Sequence, residues 1–380
     1  MSEITEMSVK QKKLAKQSVI GTTEIFVCSG ENEWIANTLK DIIEDGVICV
    51  VCDKQNATIA SDVIVCFKAA GFRIIAKDCG EIDSVPDYTR FIFAVGSEDS
   101  ANSAKTLARR LDISWSLLWT SPNTDNILRD FPPKQVFIDE NIMIKCRNED
   151  IASGWGIVLS QPIKQFDEYF FERVVRGNVA STDINAKDCK LPQTASKSCL
   201  ALKLLELSHC KKSEDSAELM ATLLYEKVKK QGEAPRQIGE YRFICSAVLY
   251  VFYSNFLGSP SIDILPPLSH TEMIDLTEKL TYACPDNIIK RIDFFDVNSY
   301  FRISYILSEY RMDLLERLSG CELHSAQRFW RRIYPDAGYW LKSALSARDI
   351  LTVLALVGQF SSGLLGFAAA TGFTDKFAKC

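Results

Sequence analysis

Phe91-Ile92-Phe93-Ala94-Val95-Gly96-Ser97-Glu98-Asp99-Ser100-Ala101-Asn102-Ser103-Ala104-Lys105 is the stretch on which the fold turns. Five apolar residues end at a glycine, and a small-residue run follows that can start a helix. In an α/β sheet such a strand–turn–helix junction lies at the carboxyl edge, where free backbone N–H groups can receive a phosphate. Glu98 and Asp99 stand in the same turn, and their charge has the wrong sign for a diphosphate. The turn has the outline of a dinucleotide site together with two groups that oppose it.

Working outward, strand-like and helix-like segments alternate from Glu24. Glu24–Cys28, Val47–Cys52, Phe72–Ala76, Phe91–Val95 and Ser114–Trp119 are short and apolar. Between them Trp34–Ile43, Ile59–Ala70 and Ser100–Leu111 have helical spacing. Continuous apolar strands separated by helices predict a doubly wound parallel sheet covered on both faces. The first ~20 residues are polar and are expected to be loosely ordered. Beyond about Asp150 the alternation stops, and helical patterns cover Glu168–Val175, Leu200–Leu207, Ala217–Lys230, Glu240–Leu257, Glu272–Tyr282, Tyr300–Leu318, Ala326–Ile333 and Asp349 onward. The polar stretch Arg176–Ser198 reads as an exposed loop. The predicted architecture is an α/β Rossmann-like domain over 1–148 and an all-α domain over 149–380, with the cleft between them as the default ligand site.

At 380 residues there is material for two cores, and 47% hydrophobic with 24% charged residues is the composition of a soluble globular protein. The net charge of −5 argues against a nucleic-acid surface. Thirteen cysteines are scattered, and no signal peptide precedes them, since MSEITEMSVKQKK is polar; reduced thiols in a cytoplasmic protein are expected. Cys49 and Cys52 form a C-x-x-C, but inside an apolar strand rather than at a helix start. Ile350–Phe373 nearly reaches membrane-spanning length, yet Gln359-Phe360-Ser361-Ser362-Gly363 interrupts it; a buried helix, or two joined by a glycine turn, is the expectation, with no membrane association.

Asp53 at the tip of an early strand suits a ribose hydroxyl pair, and equally suits a helix cap. Thr120-Ser121-Pro122-Asn123-Thr124-Asp125-Asn126 gathers hydroxyls, an amide and a carboxylate at another strand's edge. It fits a nicotinamide or polyol, although a Pro-centred turn capped by Ser, Thr and Asp is the simpler reading of these residues alone.

In order, these pieces resemble the glycerol-1-phosphate dehydrogenase branch of the dehydroquinate synthase and iron-containing alcohol dehydrogenase superfamily. Asp53-Lys54-Gln55-Asn56-Ala57-Thr58 is similar to its D-x-N-T segment, and Val95 to Lys105 to its V-G-S-G-T-I-N-D-x-A-K loop. Thr120 to Asn126 resembles T-A-P-S-T-D-G, Pro133 to Asp139 resembles P-K-x-V-x-x-D, and Ala152-Ser153-Gly154-Trp155-Gly156-Ile157 resembles A-x-G-x-G-D. The resemblance spans residues 24–175 in unbroken order. It implies NAD(P) binding by Asp53, Gly96, Ser97, Lys105, Thr120 and Asn123, substrate binding by Asp125, and a catalytic zinc or iron held by one Asp and two His.

Three departures set the functional expectation. Glu98 and Asp99 replace a glycine and a threonine of the phosphate loop, and Asn102 replaces its aspartate, while Lys105 stays. The metal-binding aspartate corresponds to Ile157. Of the three histidines in the chain, only His270 falls where the resemblance puts a ligand, and Arg291–Tyr300 offers Asp293 or Asp296 rather than a second histidine. Zinc needs about three protein ligands. Without the metal, hydride transfer loses its Lewis acid. The chain therefore reads as a catalytically inactive relative with a binding or assembly role. The alternative is an active NAD(P)-dependent polyol or alcohol oxidoreductase, or a lyase, with an altered site. A third reading is a pocket for a less anionic ligand such as a nucleoside or polyol. A homo-oligomer or another protein partner is expected, with Tyr250–Tyr253 and Phe329-Trp330 as aromatic segments that serve an interface or a core.

Overall fold

The computed structural model describes residues 16–30, 32–43, 46–175, 196–209, 215–232, 237–259, 271, 297–333, 345–358, 361, 363–371 and 373. His270, Asp293, Asp296 and the helix expected over 272–282 lie outside the described residues. The chain divides into two compact units, Met1–Gly154 with Gln193–Lys211, and Trp155–Pro192 with Lys212–Cys380.

The first unit is built on seven strands: β1 (Lys16–Ile20), β2 (Thr23–Cys28), β3 (Val47–Cys52), β4 (Arg73–Asp78), β5 (Thr89–Gly96), β6 (Trp115–Trp119) and β7 (Gln135–Asp139). Their order across the sheet is β1-β2-β7-β6-β5-β3-β4, parallel throughout except for β1 against β2. Central strands such as Val47–Cys52 are buried almost end to end, as two covered faces require. The edge strand β4, with Arg73 and Lys77, is half-exposed. Helices α1 (Asn32–Lys40), α2 (Ala57–Ala69) and α3 (Glu98–Leu111) supply crossovers, α4 (Glu140–Ile144) follows the last strand, and α6 (Lys197–His209) joins this unit from later in the chain. Under one face Phe26, Phe67, Phe93 and Phe137 form an aromatic core, with Phe67 and Phe93 edge-to-face at 4.9 Å.

Sequence order fixes where this sheet opens. From β3 the chain crosses to β4 on one side; from β5 it crosses to β6 on the other. The carboxyl ends of β3 and β5 are therefore the topological switch point, the place where open α/β sheets bind ligands. Asp53 follows β3 there, and Gly96 ends β5.

The second unit is helical. It holds most of α5 (Asn148–Phe170), which ends in a π-type turn over Phe171–Val175, then α7 (Ser216–Lys230), α8 (Ile238–Gly258), α9 (Val297–Ser319), α10 (Leu323–Ile333), α11 (Ala347–Gly358) and α12 (Leu364–Ala370). Helix α8 is apolar on nearly every side and buried accordingly. Phe252, Tyr253, Phe329 and Trp330 are all buried, so these aromatics belong to the core. The apolar segment from Ile350 is two helices, α11 and α12; no helix among the described residues is long and apolar enough to cross a membrane.

Candidate functional site

At the switch point the carboxylate of Asp53 is already engaged. Its Oδ1 accepts the Asn56 backbone N–H at 3.0 Å, capping the short 3-10 turn Lys54–Asn56, and the Asn56 side-chain amide donates to both oxygens at 2.8 Å. Ser100, in the first turn of α3, donates to Asp53 Oδ2 at 3.1 Å and accepts the Asp53 N–H at 3.2 Å. The Cys79 thiol sits 3.6 Å from the same hydroxyl. Asp53 is a helix cap and a tie between the tip of β3 and the start of α3.

That tie lies directly over Gly96. Its φ of +152° favours glycine, and a Cβ there would run into Ser100 Oγ and stand 2.8 Å from Asp53 Oδ2. The backbone surface that a phosphate would approach is covered by a hydroxymethyl group and a carboxylate. Beside it Ser97 precedes α3 without a side-chain capping bond, and Glu98 and Asp99 occupy the first turn. Negative side chains there complement the helix dipole and take the favourable position of an external anion. Glu98 Oε1 also accepts the Asn126 amide at 3.0 Å.

Of the remaining expected ligand residues, Lys105 and Asp125 are turned into the protein. Lys105 is buried and donates to the carbonyls of Asn126 at 3.1 Å and Arg129 at 3.0 Å; burial holds its ammonium below the usual lysine range. Asp125 is buried and accepts from Arg129 Nη2 at 2.7 Å. Thr120 donates its N–H to the Gly96 carbonyl at 3.0 Å and accepts the Cys146 thiol at its own carbonyl. The Asn123 carbonyl accepts the Ser153 hydroxyl at 3.3 Å. Gly154 follows because α5 begins so close to this loop that a Cβ would run into the Pro122 carbonyl oxygen. The sheet edge thus brings Asp53, Gly96, Ser97, Thr120 and Asn123 into one region, braced from below by Lys105. Replacing Lys105 by methionine keeps most of the volume but leaves two loop carbonyls without that donor. A loss of about 1–3 kcal/mol in urea denaturation is the expected result; an unchanged midpoint would show that the amine braces nothing.

The C-x-x-C pair lies on strand β3, where a separation of three puts Cys49 and Cys52 on opposite faces. Burial raises the Cys49 thiol to about 11 and also raises Cys52, conditions that keep thiols protonated and unreactive.

No family model matches the chain, and no curated protein matches it. Solved structures do. Glycerol dehydrogenase from Schizosaccharomyces pombe matches with a TM-score of 0.47 at 12% identity over 86% of this chain and 94% of that one. Iron-containing alcohol dehydrogenase from Corynebacterium glutamicum matches with 0.49 at 10% identity over 94% and 97%. A 2-deoxy-scyllo-inosose synthase matches with 0.42 at 15% identity over 76% and 88%. These are likenesses of fold, at 15% identity or less.

Tested on the residues present, neither the dinucleotide nor the metal implied by the sequence resemblance fits. A dinucleotide would need the surface over Gly96 that Ser100 and Asp53 cover. Where the sequence resemblance expects a metal-binding aspartate, Ile157 is a buried aliphatic side chain. Among the described residues no three of His, Cys, Asp and Glu come together as a metal-binding group, and His209 and His324 are both exposed. Reading the sequence alone missed Ser100 as the group that closes the crevice. The Asp53–Asn56 spacing carried a capping signal, whereas the Ser100 contact spans 47 residues and had none.

Proposed function

We propose that this chain is a non-catalytic relative of the metal-dependent NAD(P)-linked glycerol and glycerol-phosphate dehydrogenases, with a binding or assembly role as a homo-oligomer or with a protein partner. The observation that carries the proposal is the Ser100–Asp53 pair seated over Gly96. Glu98 and Asp99 add two negative charges beside it, and Ile157 offers no donor to a metal. A second reading, a pocket for a neutral polyol or nucleoside, draws support from an open hollow of about 500 Å³ beside β3 and β4, lined by Cys52, Asp53, Lys54, Ser61, Lys77 and Asp78.

Calorimetric titration with NADH and NADPH is the test. No heat up to millimolar cofactor is the expected result. A dissociation constant in the micromolar range, near −8 kcal/mol at about 1 μM, would count against the proposal and revive the oxidoreductase reading. Saturable binding of adenosine or glycerol without binding of either dinucleotide would instead support the second reading.

A further inference from the structure

Far from the sheet edge in sequence, α5 carries a carboxyl group with no part in the site above. Asp167 is 3% exposed and lies among the apolar side chains of the helical unit. Its Oδ1 accepts the Tyr253 hydroxyl of α8 at 2.7 Å, and its Oδ2 has no hydrogen-bond partner among the described residues. The turn before α12 presses on it, since a Cβ on Gly363 would stand 3.2 Å from Oδ1. That turn is tied to α7 by Ser361 Oγ against Ser216 Oγ at 3.0 Å, and Gly363 N–H donates to Ser361 Oγ at 3.2 Å. Four elements therefore meet at one buried acid.

We propose that Asp167 is a proton-operated latch: neutral, it closes the junction of α5, α8, the start of α7 and the turn before α12, and ionised, it loosens that junction. The groups that face it are Tyr253 from α8, Ser216 and Asp215 from the start of α7, and the Leu364 N–H from α12. Asp215 repels the ionised form, while the cations Arg242 and Lys164 bear on Asp215, and Glu218 pairs with Arg242 at 2.5 Å. Desolvation, the largest influence, raises the Asp167 carboxyl to about 7. An exposed Asp ionises near 3.9. A raised acid makes the closed state most stable at low pH, and the advantage falls away as pH rises toward the folded value. From pH 6 to pH 8 the opening equilibrium of the junction should rise about ten-fold by this linkage.

Hydrogen exchange on the full chain at pH 6 and pH 8, corrected for the intrinsic pH dependence of amide exchange, reads this at the amides of Ser361, Gly363 and Phe367. The expected result is a roughly ten-fold loss of protection in the wild type and none in Asp167→Asn, which keeps an acceptor for Tyr253. An equal loss in both proteins, or no loss in the wild type, would overturn the latch. Infrared difference spectra of the wild type give an independent reading that does not depend on the variant folding. A neutral carboxylic acid band should vanish between pH 6 and pH 8, with a higher midpoint in Tyr253→Phe, because the tyrosine bond favours the ionised form. A spectrum with no acid titrating in that window sinks the proposal.

Discussion

Truncating Phe93 to alanine is expected to cost about 3–5 kcal/mol in urea denaturation, the range for deleting a fully buried aromatic. Phe93 lies at the centre of β5, between Val50 of β3 and Ser116 of β6, and has no exposed surface. Its ring meets Phe67 edge-to-face at 4.9 Å and Phe137 at 6.0 Å. Relaxation into the hole is limited because the partners are themselves fixed, Phe67 by Phe72 of the following turn and Phe137 by Phe26. Aromatic pairing adds about 0.5–1.5 kcal/mol beyond the area removed from water. A loss below about 1 kcal/mol would mean that β5 is not the packed centre of this sheet.

A second large effect is expected at Gly156. Alanine is intrinsically better than glycine in a helix by about 1 kcal/mol, so propensity alone predicts a gain in α5. The packing predicts the reverse. A Cβ at Gly156 would run into the backbone carbonyl of Gly239 and stand 3.2 Å from Glu240 N, where α8 begins. Backbone atoms cannot swing aside as a side chain can, so one helix must move. Overpacking of this kind costs about 1–3 kcal/mol, occasionally more, and here it outweighs the propensity term. Gly156→Ala should lower the denaturation midpoint of the helical unit, and a net stabilisation would show that the helices are not in backbone contact there.

How much of this was legible beforehand depended on whether the signal was local. Val47–Cys52 matches its strand residue for residue, because five buried residues and the half-buried Cys52 are all apolar or small thiols. Lys16–Ile20 was expected to be loose, since Lys16, Gln17 and Ser18 carry no alternation, yet it forms β1. It is held by register with β2 across a tight turn whose Gly21 has a φ of +60°. The Gly21-Thr22 pair between two extended segments was the available cue. In this region the sequence pattern marked a helix only over Glu168–Val175, whereas α5 runs from Asn148 to Phe170 straight through Pro162. Burial of Trp155, Ile157, Ile163, Phe166 and Phe170 on either side of the proline outweighs the missing bond. At the site, the carboxyl-edge placement of Asp53 and Gly96 followed from pattern, because strand ends are marked by composition. Lys105, expected to face a ligand, reaches the Asn126 and Arg129 carbonyls more than twenty residues on, a contact no spacing rule encodes, whereas Asp125 pairs with Arg129 at the local i,i+4 spacing.

The reciprocal bond between Ser100 and Asp53 has an evolutionary and engineering consequence. Deleting Ser100 alone strands the Asp53 main-chain amide, and deleting the Asp53 carboxylate alone strands the Asn56 main-chain amide and the Ser100 hydroxyl, before any room for a guest is gained. Opening a nucleotide-accepting turn here would thus require paired changes on two separate loops, with each single change costing stability first. A lineage that acquires such a mutual lock is hard to reverse by one substitution at a time.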